Sequence, residues 1–282
     1  IKPLISVIIN CYNCEKYLRF SLDSLISQTY SNWELIFWDN NSTDKSKNIF
    51  DTYFDKRFKY FKSDSFTTLP IARSKAIKKT QGTWVSFLDA DDIWFKRKLE
   101  CQYQIIKNSK FNKKIGIIYT DTQKINNIGE VISSNNTIND EGDVFNSLLN
   151  GNFIVWSSVL FNKDVYEDCG PFIKYYEHAY DYDFLLKVSK EYNFYYINKL
   201  LVQYRIHDGN LSKFQIEESF IEDFKIIAQY FPYVNACKKL NDIIINYTKY
   251  CIKNKKLDKL ISIFSLISPL KIFISYFKKL FS

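Results

Sequence analysis

Along the first 110 positions the apolar residues fall into short continuous runs, each followed by a polar cluster and then a segment with helical spacing. Residues 5–10, 33–38, 58–61 and 84–88 are such runs. They predict strands covered on both faces, because a half-exposed strand would alternate instead. After the first run, Leu18, Leu22, Leu25 and Ile26 recur at helical spacing from about residue 15, so that helix is expected to pack on a sheet. Ile49 and Phe50 mark a second helix, residues 71–79 a basic third, and residues 93–107 a fourth that Asp92 would cap. This alternation predicts parallel βαβ units with right-handed crossovers.

Beyond residue 110 the pattern changes. Residues 115–125 and 130–134 flank the turn Asn126-Asn127-Ile128-Gly129, which predicts an antiparallel pair. Residues 153–161 are rich in β-branched and aromatic side chains and are read as another strand. Residues 180–192 are read as a helix with Phe184 and Val188 on one face, and 194–205 as a strand entering the loop Ile206-His207-Asp208-Gly209-Asn210. From residue 213 the pattern is helical, broken near Pro232 and Pro269. The expected architecture is an α/β domain with a mixed sheet over residues 1–212 and a helical C-terminal region over residues 213–282.

An apolar fraction of 46% excludes global disorder. The net charge of +8 is compatible with nucleic acid, acidic lipid or phosphorylated substrates. No recognition helix, zinc finger or aromatic RNA-binding strand appears, so nucleic acid is not an expected partner. Much of the positive charge sits in the tail, at Lys253, Lys255, Lys256, Lys259, Lys271, Lys278 and Lys279 against Asp258. The tail's apolar runs, 260–270 and 272–277, are interrupted by Pro269 and Lys271 and fall short of the roughly 20 residues of a spanning helix. With Phe273, Tyr276, Phe277 and Phe281, the tail is instead expected to lie on an anionic membrane surface, at the inner face of the cytoplasmic membrane. Six scattered cysteines point to a reducing compartment. Cys11 and Cys14 form a C-x-x-C in the setting of a redox pair, but are read as small thiols packed in the fold. No signal peptide is visible, and the absence of Met suggests that the numbering omits the true first residue.

The chemistry concentrates where the strands end. The fourth run leads into Asp89-Ala90-Asp91-Asp92, and in an extended chain Asp89 and Asp91 would leave the same face. Two carboxylates there repel unless a cation lies between them. Mg²⁺ or Mn²⁺ carrying a phosphate-bearing substrate fits, since such ions use one or two carboxylates plus phosphates. Residues 10–13 and 39–44 also follow parallel strands, and all three loops should meet at the carboxyl edge where open α/β sheets bind ligands. That edge offers the Tyr12 ring and the acceptors Asn10, Asp39 and Asn40, a set suited to a nucleoside diphosphate. Asn and Asp are also ordinary turn formers; it is the coincidence of three loops that points to a site.

The segments Ser6-Val7-Ile8-Ile9-Asn10-Cys11-Tyr12-Asn13, Glu34-Leu35-Ile36-Phe37-Trp38-Asp39-Asn40-Asn41-Ser42-Thr43-Asp44, Ala72-Arg73-Ser74 and Phe87-Leu88-Asp89-Ala90-Asp91-Asp92 resemble family 2 glycosyltransferases of the GT-A fold. So do Cys169-Gly170-Pro171-Phe172, Asp181-Tyr182-Asp183-Phe184-Leu185 and Tyr204-Arg205-Ile206-His207. The resemblance spans about the first 212 residues. It implies an inverting hexosyl- or N-acetylhexosaminyl-transferase using a nucleoside-diphosphate donor, UDP-sugar favoured, with a glycan or lipid-linked glycan acceptor in cell-surface polysaccharide, lipooligosaccharide or glycoprotein glycan synthesis. It further implies that Tyr12 stacks on uracil beside Asn10, and that Asp39 and Asn40 hold base and ribose. Arg73, Asp89 and Arg205 would serve the nucleotide, with Asp91 and His207 at a Mg²⁺ or Mn²⁺ ion and Asp181 as catalytic base. Asn40 and Tyr180 depart from the family, which commonly has a carboxylate at the first position and Glu at the second.

Two other readings fit the residues less well. A haloacid-dehalogenase-type phosphatase also uses D-x-D, but after its first strand and followed by a small hydroxylated residue, unlike Asp92-Ile93 here. A catalytically silent sugar-nucleotide or glycan-binding module on the same scaffold would not need both Asp91 and Asp181.

Overall fold

The computed structural model describes residues 2–108, 115–134, 140–172, 176–210, 216–256 and 259. The chain divides into two compact units, Ile1–Phe214 and Gln215–Ser282.

The first unit is built on one mixed sheet. β1 (Ile5–Cys11), β2 (Trp33–Asp39), β3 (Phe58–Lys62) and β4 (Trp84–Phe87) are mutually parallel in the order β3-β2-β1-β4. Three helices make the crossovers: α1 (Leu18–Ile26), α2 (Ser46–Phe50) and α3 (Leu69–Ile77). β1 and β2 are buried over nearly their whole length, as the continuous apolar runs predict. Their polar residues pair with each other: Ser6 Oγ donates to Glu34 at 2.6 Å, and Lys59 Nζ reaches the same carboxylate at 2.6 Å. Gly82 enters β4 so close to β1 that a Cβ would lie 2.5 Å from the Leu4 carbonyl oxygen, so only glycine fits.

Past β4 the sheet turns antiparallel. β8 (Leu160–Asn162) pairs with β4 and with β6 (Ile115–Ile125), while β6 runs parallel to β9 (Asn193–Arg205). β7 (Val131–Ser134) closes the expected hairpin on β6. The remaining helices of this unit are α4 (Lys98–Asn108), α5 (Phe145–Leu149), α6 (Lys163–Cys169) and α7 (Tyr180–Glu191).

Two expectations are corrected here. Residues 93–107 are not one helix: Ile93–Trp94 forms β5, antiparallel to β9, and α4 starts only at Lys98. Trp94 drives this, being 1% exposed with its indole N–H given to the Ser157 carbonyl at 2.9 Å. Asp92 therefore caps nothing. Residues 153–161 are not one strand either, because Trp156–Ser158 forms a 3₁₀ turn before β8. Trp156 packs within 5.5–6.0 Å of the Phe87, Phe172 and Phe184 rings there.

In the second unit α8 (Ile216–Ala228) and α9 (Val234–Lys253) pack on each other, with Phe220 and Tyr247 ring centroids 5.6 Å apart. Pro232 lies in the break between them. The expected membrane-binding segment, 260–282, lies outside the described residues. Among the described residues, no helix is long and apolar enough to cross a membrane.

Candidate active site

The ends of β1, β2 and β4 converge at one edge of the sheet. After β4 the chain does not stay extended. Asp92 N–H donates to the Asp89 carbonyl at 3.0 Å, closing a turn. Asp89 turns to Arg73 on α3, and Asp91 turns to His207. Asp89 thus has its cation in Arg73, while burial and the nearby Asp91 charge still push its carboxyl up.

The meeting of Asp91 and His207, 116 residues apart in the chain, follows from strand register. β5 pairs Ile93 with Gln203, so the turn before it is drawn alongside the end of β9. Arg205 then fastens that turn. Its backbone N–H donates to Asp92 Oδ1 at 3.0 Å, its Nε to the Asp91 carbonyl at 2.9 Å, and its Nη1 to the Asn126 carbonyl at 3.1 Å. Only 2% exposed, with its guanidinium 4.7 Å from the Tyr17 ring centroid, Arg205 is a positioning residue for this turn rather than a free hand for a diphosphate. His207 Nε2 lies 2.9 Å from Asp91 Oδ2, and Gly209 N–H donates to Nδ1 at 3.0 Å. In a neutral ring that leaves Nε2 as the protonated nitrogen, the one facing Asp91. Asp92 is fully buried, and burial followed by the neighbouring carboxylates of Asp91 and Asp89 pushes its carboxyl well up.

Arg73 occupies the centre. It is 3% exposed, donates from Nη2 to Asp89 Oδ1, and sits 4.9 Å from the Phe87 ring, 5.5 Å from Tyr180 and 5.7 Å from Trp156. Such desolvated cation–π contacts hold a guanidinium firmly. Tyr180, the departure from the family's Glu, thus supplies one wall of the Arg73 cage. Asp181 follows it in the first turn of α7, half-buried, with Oδ1 accepting from Tyr182 N–H at 2.8 Å. Burial pushes its carboxyl up to about 6, with Arg73 pulling in the opposite direction. That value suits a general base working near neutral pH.

Where β1 and β2 end, the loops are tied together by their own side chains. Asn13, in the left-handed region at φ 55°, accepts from Thr43 N–H at 2.8 Å, while Ser42 Oγ accepts from Asn13 N–H at 3.1 Å. Asp39 is 1% exposed and already engaged on both oxygens, by Ser42 N–H at 2.7 Å and Tyr60 Oη at 2.5 Å. Asn40 clasps Thr67: Nδ2 donates to its carbonyl at 2.6 Å, and Oδ1 accepts from Thr67 Oγ1 at 2.9 Å. A carboxylate lacks the donor for this clasp, which explains the amide here. It also corrects the expectation that the Asn40 carbonyl stands open to a base. Asn10 is different, because both its side-chain polar atoms are buried with no hydrogen-bond partner. An amide in that state is costly unless a ligand completes it.

Tyr12 is 47% exposed, and beside it stands a residue the sequence reading missed. Phe66, 56% exposed, lies 4.5 Å from Tyr12 between ring centroids and is tilted by 54°. The Asn40–Thr67 clasp fixes its loop. Ser157 was also missed; its Oγ accepts from Asp89 N–H at 3.1 Å, inside a segment read as strand. Cys11 and Cys14 are free thiols, and the Cys14 thiol is turned to the Tyr12 carbonyl at 3.5 Å.

The sequence model of glycosyl transferase family 2 matches residues 6–170, more than half of the chain and all three loops. The chain belongs to this family. Among curated members, it is 27% identical over 260 residues to the Escherichia coli UDP-Glc:alpha-D-GlcNAc-diphosphoundecaprenol beta-1,3-glucosyltransferase WfgD, covering 89% of this chain and 97% of that one. Among solved structures, S. aureus TarS 1–349 in complex with UDP-GlcNAc superposes with a TM-score of 0.66 at 18% identity, over 85% of this chain and 71% of that one. The longer TarS chain is covered to 40%. Mannosyltransferase PcManGT from Pyrobaculum calidifontis, in complex with GDP-Man and Mn²⁺, superposes with a TM-score of 0.61 at 14% identity, over 98% of this chain and 84% of that one. These likenesses give the fold, GT-A, and family membership gives the class of reaction, glycosyl transfer.

Proposed function

We propose that this family 2 glycosyltransferase is a cation-dependent, inverting enzyme that moves a hexosyl or N-acetylhexosaminyl unit from a uridine-diphosphate donor to a hydroxyl of a glycan or lipid-linked glycan in surface-glycan synthesis. The observation that carries it is Asp181: a carboxylate with its acidity shifted to about 6, beside the Arg73–Asp89 pair at the sheet edge where a donor would lie. Asp181 takes the proton of an acceptor hydroxyl as that oxygen attacks the anomeric carbon. The bond to the diphosphate breaks on the opposite face, which inverts the configuration, and no protein nucleophile is needed.

Among the described residues, no three His, Cys, Asp or Glu side chains are grouped to hold a metal. The Asp91–His207 pair nonetheless suits Mg²⁺ or Mn²⁺, which keep one or two protein ligands and take the rest from phosphates and water. Such an ion would offset the charge growing on the leaving diphosphate.

The donor and acceptor classes are supported by WfgD, named for UDP-Glc and a diphosphoundecaprenol-linked acceptor, and by TarS crystallised with UDP-GlcNAc. Within the site, Asn10 offers an unfilled amide and Tyr12 with Phe66 an exposed aromatic face. Competition between uridine and guanosine diphosphates tests the choice of base. UDP is expected to bind better by roughly 10-fold, about 1.4 kcal/mol; equal inhibition counts against the uridine reading. Phe66→Ala should weaken UDP binding by about 5- to 100-fold, the usual worth of one base–aromatic stack, with kcat at saturating donor little changed. Unaltered UDP affinity by calorimetry removes Phe66 from the pocket.

A further inference from the structure

Lys98, the first residue of α4, is fully buried and meets no carboxylate among the described residues. Burial alone pulls its amine well below the ordinary lysine range. Packing does not account for such a residue, since an apolar chain of the same length would fill the volume without desolvating an amine. Its contacts account for it instead. Nζ donates to Ser86 Oγ on β4 at 3.0 Å and to Gln102 Oε1, one turn along α4, at 3.1 Å. It also lies 3.7 Å from the ring centroid of Trp94 on β5.

These three neighbours hold three consecutive backbone carbonyls. Trp94 Nε1 donates to the Ser157 carbonyl at 2.9 Å, Gln102 Nε2 to that of Ser158 at 2.9 Å, and Ser86 Oγ to that of Val159 at 2.5 Å. By filling the acceptor sides of Ser86 and Gln102, Lys98 leaves the hydroxyl proton and the amide N–H groups to the carbonyls. The same stretch of chain also serves the active site. Ser157 Oγ accepts from Asp89 N–H at 3.1 Å, and the Trp156 ring centroid lies 5.7 Å from the Arg73 guanidinium. Arg73 and Asp89 act in turn on Asp181: after burial, which raises its carboxyl, Arg73 lowers it and Asp89 raises it less strongly.

We infer that Lys98 is a positioning residue for the Arg73–Asp89 pair, acting through Ser86, Gln102 and Trp94 on residues 156–159. The inference rests on the transferase reading above and extends it to a residue that touches neither donor nor acceptor. Loosening residues 156–159 lets Arg73 and Asp89 drift from Asp181. Arg73 has the stronger hold on that carboxyl, so Asp181 titrates at higher pH once the pair is loosened.

Lys98→Met keeps the length of the side chain and removes both hydrogen bonds. It is expected to lower kcat at saturating substrates by about 10- to 100-fold, the cost of a small misplacement at the reacting centre. The acid limb of the kcat–pH profile should move upward from about 6, by at least roughly half a pH unit. Amide exchange at Asp89 should quicken by at least roughly 10-fold, while the amides of β1 keep parent rates. A lysine that served stability alone would change the melting temperature and leave the limb in place. Parent kcat, a reduced kcat with an unmoved limb, or unchanged exchange at Asp89 each overturns the inference. Gln102→Met removes the bonds to the Ser158 and Ile118 carbonyls, and the same three outcomes are read from it if Lys98→Met does not fold. A parent with no acid limb near pH 6 defeats Asp181 as the base, and exchange at Asp89 then decides the positioning role by itself.

Discussion

Asp181→Asn is expected to slow sugar transfer by about 10²- to 10⁴-fold, the usual contribution of a general base. UDP and metal should still bind nearly as in the parent. The substitution keeps size and hydrogen-bonding capacity, including the carbonyl that accepts from Tyr182 N–H, and removes only basicity. Position alone would not make the case, because a carboxylate at a helix start is favourable on electrostatic grounds in any protein. What separates a base from a helix-start residue is the pH profile. Asp181 works only when ionised, so activity should rise with pH through about 6 and level off above it. The variant should lose that limb. A variant that transfers at the parent rate, or one that loses donor affinity in step with activity, reassigns Asp181 to structure.

Asp91→Asn should be the most damaging change at the proposed metal site, lowering kcat/KM by at least about 10²-fold at a fixed cation concentration, on the scale of losing a group that stabilises leaving-group charge. Asp92→Asn makes the contrast. Its carbonyl can still accept from Arg205 N–H, and it relieves a buried carboxyl already pushed up by burial and by its neighbours. Asp92→Asn should therefore cost little. Titration with Mn²⁺ or Mg²⁺ checks this: the parent loses activity in excess chelator and regains it with cation, while Asp91→Asn needs far more. Full activity in chelator contradicts an ion at Asp91.

The parallel half of the sheet could be read from the chain because β1, β2 and β4 are short apolar runs bounded by polar turn clusters, the pattern of strands buried on both faces. The second half was harder. β8 and the turn at Trp156 share a stretch of aromatic and β-branched residues whose fate is decided by tertiary packing, with Trp156 among three phenylalanine rings. β5 is two residues long and owes its existence to β9, far away in sequence. The site divides similarly. Asp89, Asp91, Asp181 and His207 were legible as motif residues, and the fold brings Asp89 to Arg73 and Asp91 to His207. The division of labour was not legible. Asp39, Asn40 and Arg205 carry the hydrogen bonding of the loops themselves, and nothing in a linear pattern tells such a residue from one that touches a ligand. Phe66 lacked any signal, being one aromatic in a polar loop whose place depends on Thr67 meeting Asn40.

The most direct measurement is the anomeric configuration of a product. Purified protein, a panel of sugar nucleotides, Mn²⁺ and a lipid-linked acceptor are combined, and the linkage is read by NMR. The account predicts transfer from a uridine-diphosphate sugar, with the anomeric configuration inverted and no product in chelator. Product with retained configuration, or a protein that binds UDP yet transfers sugar from no donor to any acceptor in the panel, contradicts it.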